Sequence, residues 1–425
     1  MLLALTSTIL SFVEAEDTLK FSIVFIRHGA RSSRNPKLKI KDVEWTEGKD
    51  ALTASGTRQL YLLGRMMHDY YITQRKLLPP IYNGTFIHAR ASDSARTLMS
   101  CQSFLLGLYP NNAISLSETQ VKNEKYWKPP NTLELDDEYI KGLGKDSILH
   151  GIPIVPIISY NKNFERTLSF GFCDKFYKFR MDYYDTERFE KVYEKYKKSF
   201  QEACKRLGLD CVNLKGRVVW EYVDAMVTAE FDGQLQEIHD LSEDLDKFYT
   251  EAEEGELSHN KEFQTSIAMN QFSEIIPEYL FNATNGSTPL KMLVLSAHES
   301  TLLSYLIAMN ISLETYQTVP YASSFIIELL KNESGHFVNV TLNSKILFIR
   351  SLTNFTTWLK ELGQLNDTWE NLCKLPNSSL LQSQTSSMLV PVIIAVFGVI
   401  IILEILLCAR KKRRELNENS LVATV

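Results

Sequence analysis

Two short apolar segments, far apart in the sequence, each end in a histidine, and this pattern constrains the fold more than any other feature. Phe21–Ile26 precedes Arg27-His28-Gly29, and Met292–Leu295 precedes Ser296-Ala297-His298-Glu299. Runs of this length, rich in β-branched and aromatic residues or flanked by polar loops, predict buried strands. Because the carboxyl ends of parallel strands meet at one edge of an open sheet, we predict that His28 and His298 lie close together.

The segments between these strands predict an α/β fold. Thr53 can cap a helix that extends to about Tyr70, and the apolar stretch Thr85–His88 precedes Arg90 and a further helix. From about 120 to 285, tyrosines, charged residues and helical spacing dominate. We therefore predict a mostly parallel sheet flanked by helices, with a helical cap inserted at about 120–285.

Both ends of the chain predict a membrane-anchored protein. Residues 1–15 have the apolar run and small-residue ending of a secretory signal peptide. Residues 388–409 are apolar apart from one glutamate, long enough to span a bilayer, and are followed by a basic run. We predict a lumenal or extracellular domain over 16–377, a stalk over 378–387, a transmembrane helix over 388–409 and a cytoplasmic tail over 410–425. The tail contains no tyrosine for an endocytic signal, so the plasma membrane and the endolysosomal membrane both fit.

Sequons and cysteines agree with this orientation. Nine Asn-X-Ser/Thr acceptors precede the span and none follows it: Asn83, Asn282, Asn285, Asn310, Asn332, Asn339, Asn354, Asn366 and Asn377. The cysteines on the oxidising side are Cys101, Cys173, Cys204, Cys211 and Cys373. Their odd number leaves one thiol free or intermolecular, and the sequence leaves the pairing of Cys101, Cys204 and Cys211 open.

Charge composition restricts the ligands. The 46 Lys and Arg residues against 51 Asp and Glu residues give a net charge of −5, and the body has no basic stripe for nucleic acid. Any affinity for phosphate must come from a small group of cations. Arg27, Arg31 and Arg90 lie near the predicted strand ends and can direct three guanidinium groups at one tetrahedral dianion.

The residues around this predicted anion site can perform phosphoryl transfer. A neutral His28 imidazole can attack phosphorus, and Glu299 can protonate the leaving alkoxide and then activate water. Arg96, close to Asp93, is interpreted as a structural partner. No His, Cys or carboxylate spacing suits zinc, so we predict no metal and no cofactor.

At these residues the sequence resembles the histidine acid phosphatases, a branch of the histidine phosphatase superfamily. The segments that carry the resemblance are Ile26-Arg27-His28-Gly29-Ala30-Arg31, Leu52-Thr53-Ala54-Ser55-Gly56-Thr57-Arg58-Gln59, Arg90-Ala91-Ser92-Asp93-Ser94-Ala95-Arg96-Thr97 and Ser296-Ala297-His298-Glu299. The resemblance implies that His28 is the nucleophile and that position 299 is the proton donor. It implies phosphate ligands at Arg27, Arg31, Arg90 and His298, and further a homodimer and a disulfide between Cys173 and Cys373.

Two positions depart from the pattern of this family. Ser33 stands where many members have proline, and Glu299 stands where most acid phosphatases have aspartate. We predict an enzyme that hydrolyses small phosphate monoesters at acidic pH through a phosphohistidine. One alternative is an inositol-polyphosphate phosphatase, for which Lys191, Lys195, Lys197 and Lys198 of the cap are candidate contacts. The other is a weakly active surface receptor or adhesion ectodomain.

Overall fold

The computed structural model describes residues 17–375, except 36–37, 39, 42, 111–114, 130–136, 149–153, 171–172 and 313–318. Its strands are β1 (Thr18–Arg27), β2 (Ile87–Ala91), β3 (Ile157–Ile158), β4 (Met292–Ala297), β5 (Ser324–Asn332), β6 (Gly335–Leu342) and β7 (Lys345–Ser351). Its α-helices are α1 (Ala54–His68), α2 (Ala95–Leu108), α3 (Glu118–Val121), α4 (Asp137–Leu143), α5 (Asp174–Asp182), α6 (Glu187–Arg206), α7 (Arg217–Phe231), α8 (Ser242–Leu257), α9 (Lys261–Asn285), α10 (Glu299–Ala308), α11 (Leu352–Leu362) and α12 (Trp369–Cys373).

The strands form one sheet in the order β3-β2-β4-β1-β5-β6-β7. The pairs β1–β4, β2–β4 and β2–β3 are parallel. In β1, every residue from Phe21 to Ile26 is fully buried. A strand covered on both faces needs a continuous apolar run rather than alternation, which explains the pattern that identified β1 and β4 from the sequence.

The sheet is mixed, whereas we predicted a mostly parallel one. β1–β5, β5–β6 and β6–β7 are antiparallel. The turn between β6 and β7 consists of Asn343 and Ser344, whose φ angles are 48° and 68°. Positive φ at both central residues is the conformation of a tight hairpin turn, and such a turn reverses the chain too sharply for a parallel crossover.

Helices cover both faces of the sheet. Val24 and Ile26 of β1 share a core with residues of α1 and α2, while Phe25 points the other way and stacks against Phe272 of α9 and Tyr305 of α10. Thr53 caps α1 as predicted, because its side chain accepts a hydrogen bond from the backbone N–H of Gly56. These helices fix the ends of β1 and β4, where the two histidines lie.

The segment predicted to be a helical insertion holds α3 to α9, with the short strand β3 as an addition. An aromatic cluster around Phe248 of α8 holds the cap together; it includes Phe189, Tyr193, Tyr196 and Phe200 of α6. Gly208, just after α6, has a φ of 64°. Cys204, within α6, forms a disulfide with Cys211. The buried Cys101 is a free thiol, and Cys173 and Cys373 are each disulfide-bonded.

Several predictions concern residues outside the described part of the chain: the signal peptide, the stalk, the transmembrane helix, the tail and Asn377. Within the described residues, no helix is both long enough and apolar enough to cross a bilayer. Asn83, Asn285, Asn310, Asn354 and Asn366 are exposed, and Asn282 and Asn332 are half-buried. Asn339 is wrong as a glycan acceptor, because it is buried in β6 and its amide contacts Glu328 at 3.5 Å.

Candidate active site

The two histidines are neighbours, as the strand pattern predicts. β1 and β4 pair in a register that places Arg27 opposite Ala297, so both chains leave the sheet at the same edge. The backbone N–H of His28 donates to the Ala297 carbonyl at 3.0 Å. The centroids of the His28 and His298 rings are 5.6 Å apart, and the rings are nearly perpendicular. The prediction that these two strands end at the same edge of the sheet therefore locates the site.

His28 is held as a neutral imidazole with one unused nitrogen. Its Nδ1 lies 2.8 Å from the Gly29 carbonyl oxygen, and because a carbonyl only accepts, Nδ1 must carry the proton. Its Nε2 is buried and has no hydrogen-bond partner. Burial, followed by the charges of Arg96 and Arg27, lowers the pKa of His28 well below its ordinary value of 6.5. A lone pair is therefore available at Nε2 even in acidic solution.

Glu299 is the first residue of α10 and faces the same space. Its Oε2 lies 2.6 Å from Nη2 of Arg27, and the guanidinium of Arg27 also stacks over the ring of Tyr321 at 4.3 Å. Burial raises the pKa of Glu299 to about 8 and outweighs the opposing effect of Arg27. Since the carboxyl is 2% exposed, it is a protonated acid over the whole acidic range.

Arg31 is held by the cap. It is 1% exposed, and its guanidinium forms a paired interaction with both carboxylate oxygens of Asp224 in α7. Arg31 lowers the pKa of Asp224 against the effect of burial. No spacing in the sequence links these two residues, which are far apart in the chain. The pairing shows that the cap contributes directly to the orientation of the cations at the strand ends.

Arg96, rather than the predicted Arg90, lies beside the histidines. Nη2 of Arg96 donates to Nδ1 of His298 at 3.0 Å, and its Nη1 donates to Asp50 at 2.5 Å. Arg96 is also the strongest charge acting on both histidine rings. The interpretation of Arg96 as a partner of Asp93 is wrong, because helix α2 starts at the strand ends and directs its first turn at the site.

Arg90 is wrong as a phosphate ligand in this structure. It lies inside β2, where its Nη2 donates to the buried Glu165 at 3.1 Å and its guanidinium stacks over Tyr160 at 4.6 Å. It is not among the largest charges that act on either histidine, whereas Arg34 is among those that act on His298. The strand continues to Ala91, so Arg90 stops short of the edge at which the histidines lie.

His298 is bonded at both ring nitrogens. Besides accepting from Arg96, it pairs through Nε2 with Oγ of Ser92 at 2.8 Å. Because the guanidinium can only donate, Nδ1 is the acceptor and Nε2 carries the proton. The predicted role of His298 as a direct phosphate ligand would require one of these bonds to break, while its present contacts orient Arg96.

The guanidinium groups retain donors that no protein atom satisfies. The Nε atoms of Arg27, Arg31 and Arg96 are buried without hydrogen-bond partners, as are Nε2 of His28 and, within β2, Nε of Arg90. Buried polar atoms without partners are rare, and each one calls for an explanation. A bound tetrahedral anion would supply acceptors for Arg27, Arg31 and Arg96. Among the described residues, no group of three or more His, Cys, Asp or Glu side chains could hold a metal ion.

A cavity of about 100 Å³ opens beside Glu299. Arg27 is the basic residue in its lining, and its carboxylates are Asp224, Asp246 and Glu299. The rest of the wall includes Val227, Phe231, Val319, Pro320 and Tyr321. Burial, followed by Glu230, raises the pKa of Asp246 to about 6. The space next to the acid is therefore apolar and acidic, in contrast to the cationic cluster at the histidines.

Comparisons with known proteins agree with this geometry. A family model described as "Histidine phosphatase superfamily (branch 2)" matches residues 18–343. The chain is 26% identical to lysosomal acid phosphatase of Xenopus laevis, over 93% of this chain and 87% of that protein. It is 25% identical to prostatic acid phosphatase of Bos taurus, over 76% of each chain.

Solved structures support the fold alone. The phytase of Hafnia alvei in complex with myo-inositol hexakis sulphate has a TM-score of 0.57 with this chain at 12% identity, and the match covers 86% of this chain and 100% of the phytase. The phytase of Citrobacter braakii gives a TM-score of 0.53 at 14% identity, over 84% of this chain and 100% of that chain. At such identities the likeness concerns the arrangement of sheet, helices and cap.

Proposed function

Because the chain belongs to branch 2 of the histidine phosphatase superfamily, we propose that it is an acid phosphatase that hydrolyses small phosphate monoesters through a phosphohistidine on His28. The observation that carries the proposal is the buried, neutral His28 ring with a free Nε2, set among arginines that retain unused donors. The reaction needs no cofactor, since the imidazole supplies the nucleophile and the cations neutralise the equatorial oxygens.

In the first step, the Nε2 lone pair of His28 forms a bond to phosphorus while the bond from phosphorus to the ester oxygen breaks. Glu299 gives its proton to the departing alkoxide, which leaves as the alcohol. Arg27, Arg31 and Arg96 bind the phosphoryl oxygens as charge builds on them. Glu299 then remains as a carboxylate next to Arg27, whose guanidinium at 2.6 Å stabilises the new charge.

In the second step, water attacks the phosphohistidine from the side that the alcohol has vacated. The Glu299 carboxylate accepts a proton from this water as the bond from oxygen to phosphorus forms. The bond from phosphorus to nitrogen breaks, inorganic phosphate leaves, and His28 returns to its neutral state. Both residues are then in the protonation states from which the cycle began.

The electrostatics of the site allow the first step throughout the acidic range. The first step needs Glu299 protonated, and its pKa of about 8 meets this requirement throughout the acidic range. It also needs His28 unprotonated, and the lowered pKa of that ring delays protonation to a lower pH. The two opposite shifts widen the acidic range in which acid and nucleophile are both competent.

The cavity beside Glu299 favours an uncharged or cationic alcohol over a polyanionic one. The lining has a single guanidinium, that of Arg27, so it offers little positive charge to hold additional phosphate groups. Two of the four candidate cap lysines are already paired on exposed helix surfaces, Lys195 with Glu251 and Lys197 with Glu194. An aryl phosphate should therefore be hydrolysed faster than inositol hexakisphosphate at equal concentration, and the reverse order would favour the inositol-polyphosphate alternative.

We further propose a type I membrane glycoprotein whose catalytic domain is lumenal or extracellular and which forms a homodimer. The exposed sequons and the disulfide between Cys204 and Cys211 support an oxidising compartment. Protease protection of sealed vesicles tests the orientation. Analytical ultracentrifugation of the purified protein tests the dimer, and a single species with the mass of one chain would contradict it.

Rapid acid or base quench with a labelled ester tests the covalent intermediate. The wild-type protein should retain label on a histidine, and His28→Ala should retain none. His336→Ala is the matched control, because this histidine lies on β6 away from the site. Retention of label by His28→Ala would refute the assignment. If the wild-type protein releases no phosphate from any small ester between about pH 4 and 7, a range in which carboxyl and imidazole groups commonly act as acid and base, the receptor alternative is correct.

A further inference from the structure

Asp50 places a carboxylate beside two arginines of the anion site, Arg31 and Arg96, and beside Arg34. Its Oδ2 accepts from Nη1 of Arg96 at 2.5 Å, and its Oδ1 lies 3.7 Å from Nε of Arg31 and 4.0 Å from Nε of Arg34. This Oδ1 is buried and makes no hydrogen bond. A carboxylate that faces several guanidinium groups interacts with the same positive charges that would bind a phosphate.

The backbone holds Asp50 in this place at a conformational cost. Its φ angle is 52°, in the left-handed region that non-glycine residues rarely adopt, although aspartate and asparagine tolerate it better than most. Its N–H donates to the carbonyl of Ser33 at 3.1 Å. The next residue, Ala51, exchanges hydrogen bonds of 2.9 Å with Ser32. Asp50 is thus fixed against the loop that carries His28.

We infer that Asp50 is a built-in anion that competes with phosphate for Arg31 and Arg96, and that it thereby weakens the binding of the inorganic phosphate product. The inference rests on the proposed phosphatase function, because it assigns these arginines to phosphate. A site of several buried arginines without such a competitor would retain its product, since phosphate carries the same charged oxygens as the ester.

The charges around Asp50 support this role. Its carboxylate lies beside the guanidinium groups of Arg31, Arg34 and Arg96 and offsets part of their positive charge. Neutralising Asp50 would raise the net charge of the site by one. The extra attraction should bind phosphate more tightly than turnover requires.

The test compares Asp50→Asn with the wild-type protein. Asparagine has almost the same shape and tolerates the left-handed conformation, so the variant removes charge and little else. With an aryl phosphate as substrate, we expect the inhibition constant of inorganic phosphate to fall by about tenfold, as a unit charge a few ångströms away would give in a partly exposed site. Asp50→Gly, which relieves the backbone cost, should show the same fall.

Glu47→Gln is the matched control, because Glu47 is an exposed carboxylate of the same loop. This variant should leave the inhibition constant within twofold of the wild-type value. An unchanged or higher inhibition constant in Asp50→Asn would overturn the inference, since it would mean that Asp50 merely orients Arg96. Titration calorimetry with inorganic phosphate reads binding without turnover. Absence of turnover in the wild-type protein would thus refute the proposed function alone, while an unchanged calorimetric affinity would refute the role of Asp50.

Discussion

Replacement of Glu299 by glutamine gives the sharpest test of the proposed chemistry. The substitution removes the exchangeable proton but keeps an oxygen that can accept from Arg27, whose Nη2 now lies 2.6 Å from the carboxyl. Esters of alkyl alcohols need a proton on the leaving oxygen, so Glu299→Gln should slow their first step by about 10²–10⁴-fold. Strongly acidic phenols can leave without a proton, so the first step for their esters should change by less than about tenfold.

The pKa of Glu299 fixes the pH range in which this difference is seen. A carboxyl with a pKa of about 8 is protonated in about 99 of 100 molecules at a pH of about 6, whereas one with the ordinary value would be protonated in about 3 of 100. For alkyl esters, kcat/KM of the wild-type protein should therefore fall about tenfold per unit above a pH of about 8. In Glu299→Gln this decline should be absent.

Stopped-flow and acid-quench measurements on both ester classes provide the readout. With a dinitrophenyl ester, the variant should give a rapid burst of one phenol per site and then stall as the phosphohistidine, because the second step lacks its base. Glu254→Gln is the control, since this carboxyl belongs to the cap and does not line the cavity. An equal loss on alkyl and dinitrophenyl esters, or an unaltered decline above a pH of about 8, would refute Glu299 as the proton donor.

Three further predictions concern the correction at the anion site and the packing of the fold. Arg96→Ala should lower kcat/KM by about 10²–10³-fold, as the loss of a donor to developing charge does. Arg90→Ala should leave kcat/KM within about tenfold of the wild-type value but destabilise the fold by about 3–5 kcal/mol in denaturant titrations, because it leaves Glu165 buried and unpaired. Gly64→Ala should cost about 1–3 kcal/mol or more in the same assay, since an added Cβ would overlap the backbone carbonyl of Phe104 where α1 and α2 cross.

The sequence predicts the parts of the site that lie on the chain next to a recognisable strand. His28 and His298 follow apolar runs, and Glu299 follows His298 directly, so strand prediction alone brings them together. Arg90 and Arg96 show the limit of this reasoning, because the strand extends beyond the apolar stretch Thr85–His88 to Ala91, and the first turn of the next helix carries Arg96 to the site. The sequence predicted that this strand ends before Arg90, whereas it continues to Ala91.

Asp50 and Asp224 could not be predicted in the same way. Asp50 reaches the arginines through a left-handed backbone conformation, and Asp224 reaches Arg31 from the cap. Both contacts depend on how distant segments pack, and neither leaves a spacing or a motif in the sequence. A buried arginine needs a carboxylate or another acceptor nearby. A known cluster of arginines at the strand ends therefore predicts that such partners exist, but it does not identify them.

The arginines of this site couple binding of the phosphate to activation of the nucleophile. In the free protein, burial and then the charge of Arg96 hold the pKa of His28 well below 6.5, which preserves the lone pair at Nε2. When a phosphoryl dianion binds, it cancels part of that positive field and the basicity of Nε2 rises. The nucleophile thus gains strength at the moment when phosphorus is within reach. After transfer, the positive field favours departure of His28 as a neutral imidazole, because a protonated ring would again face the arginines.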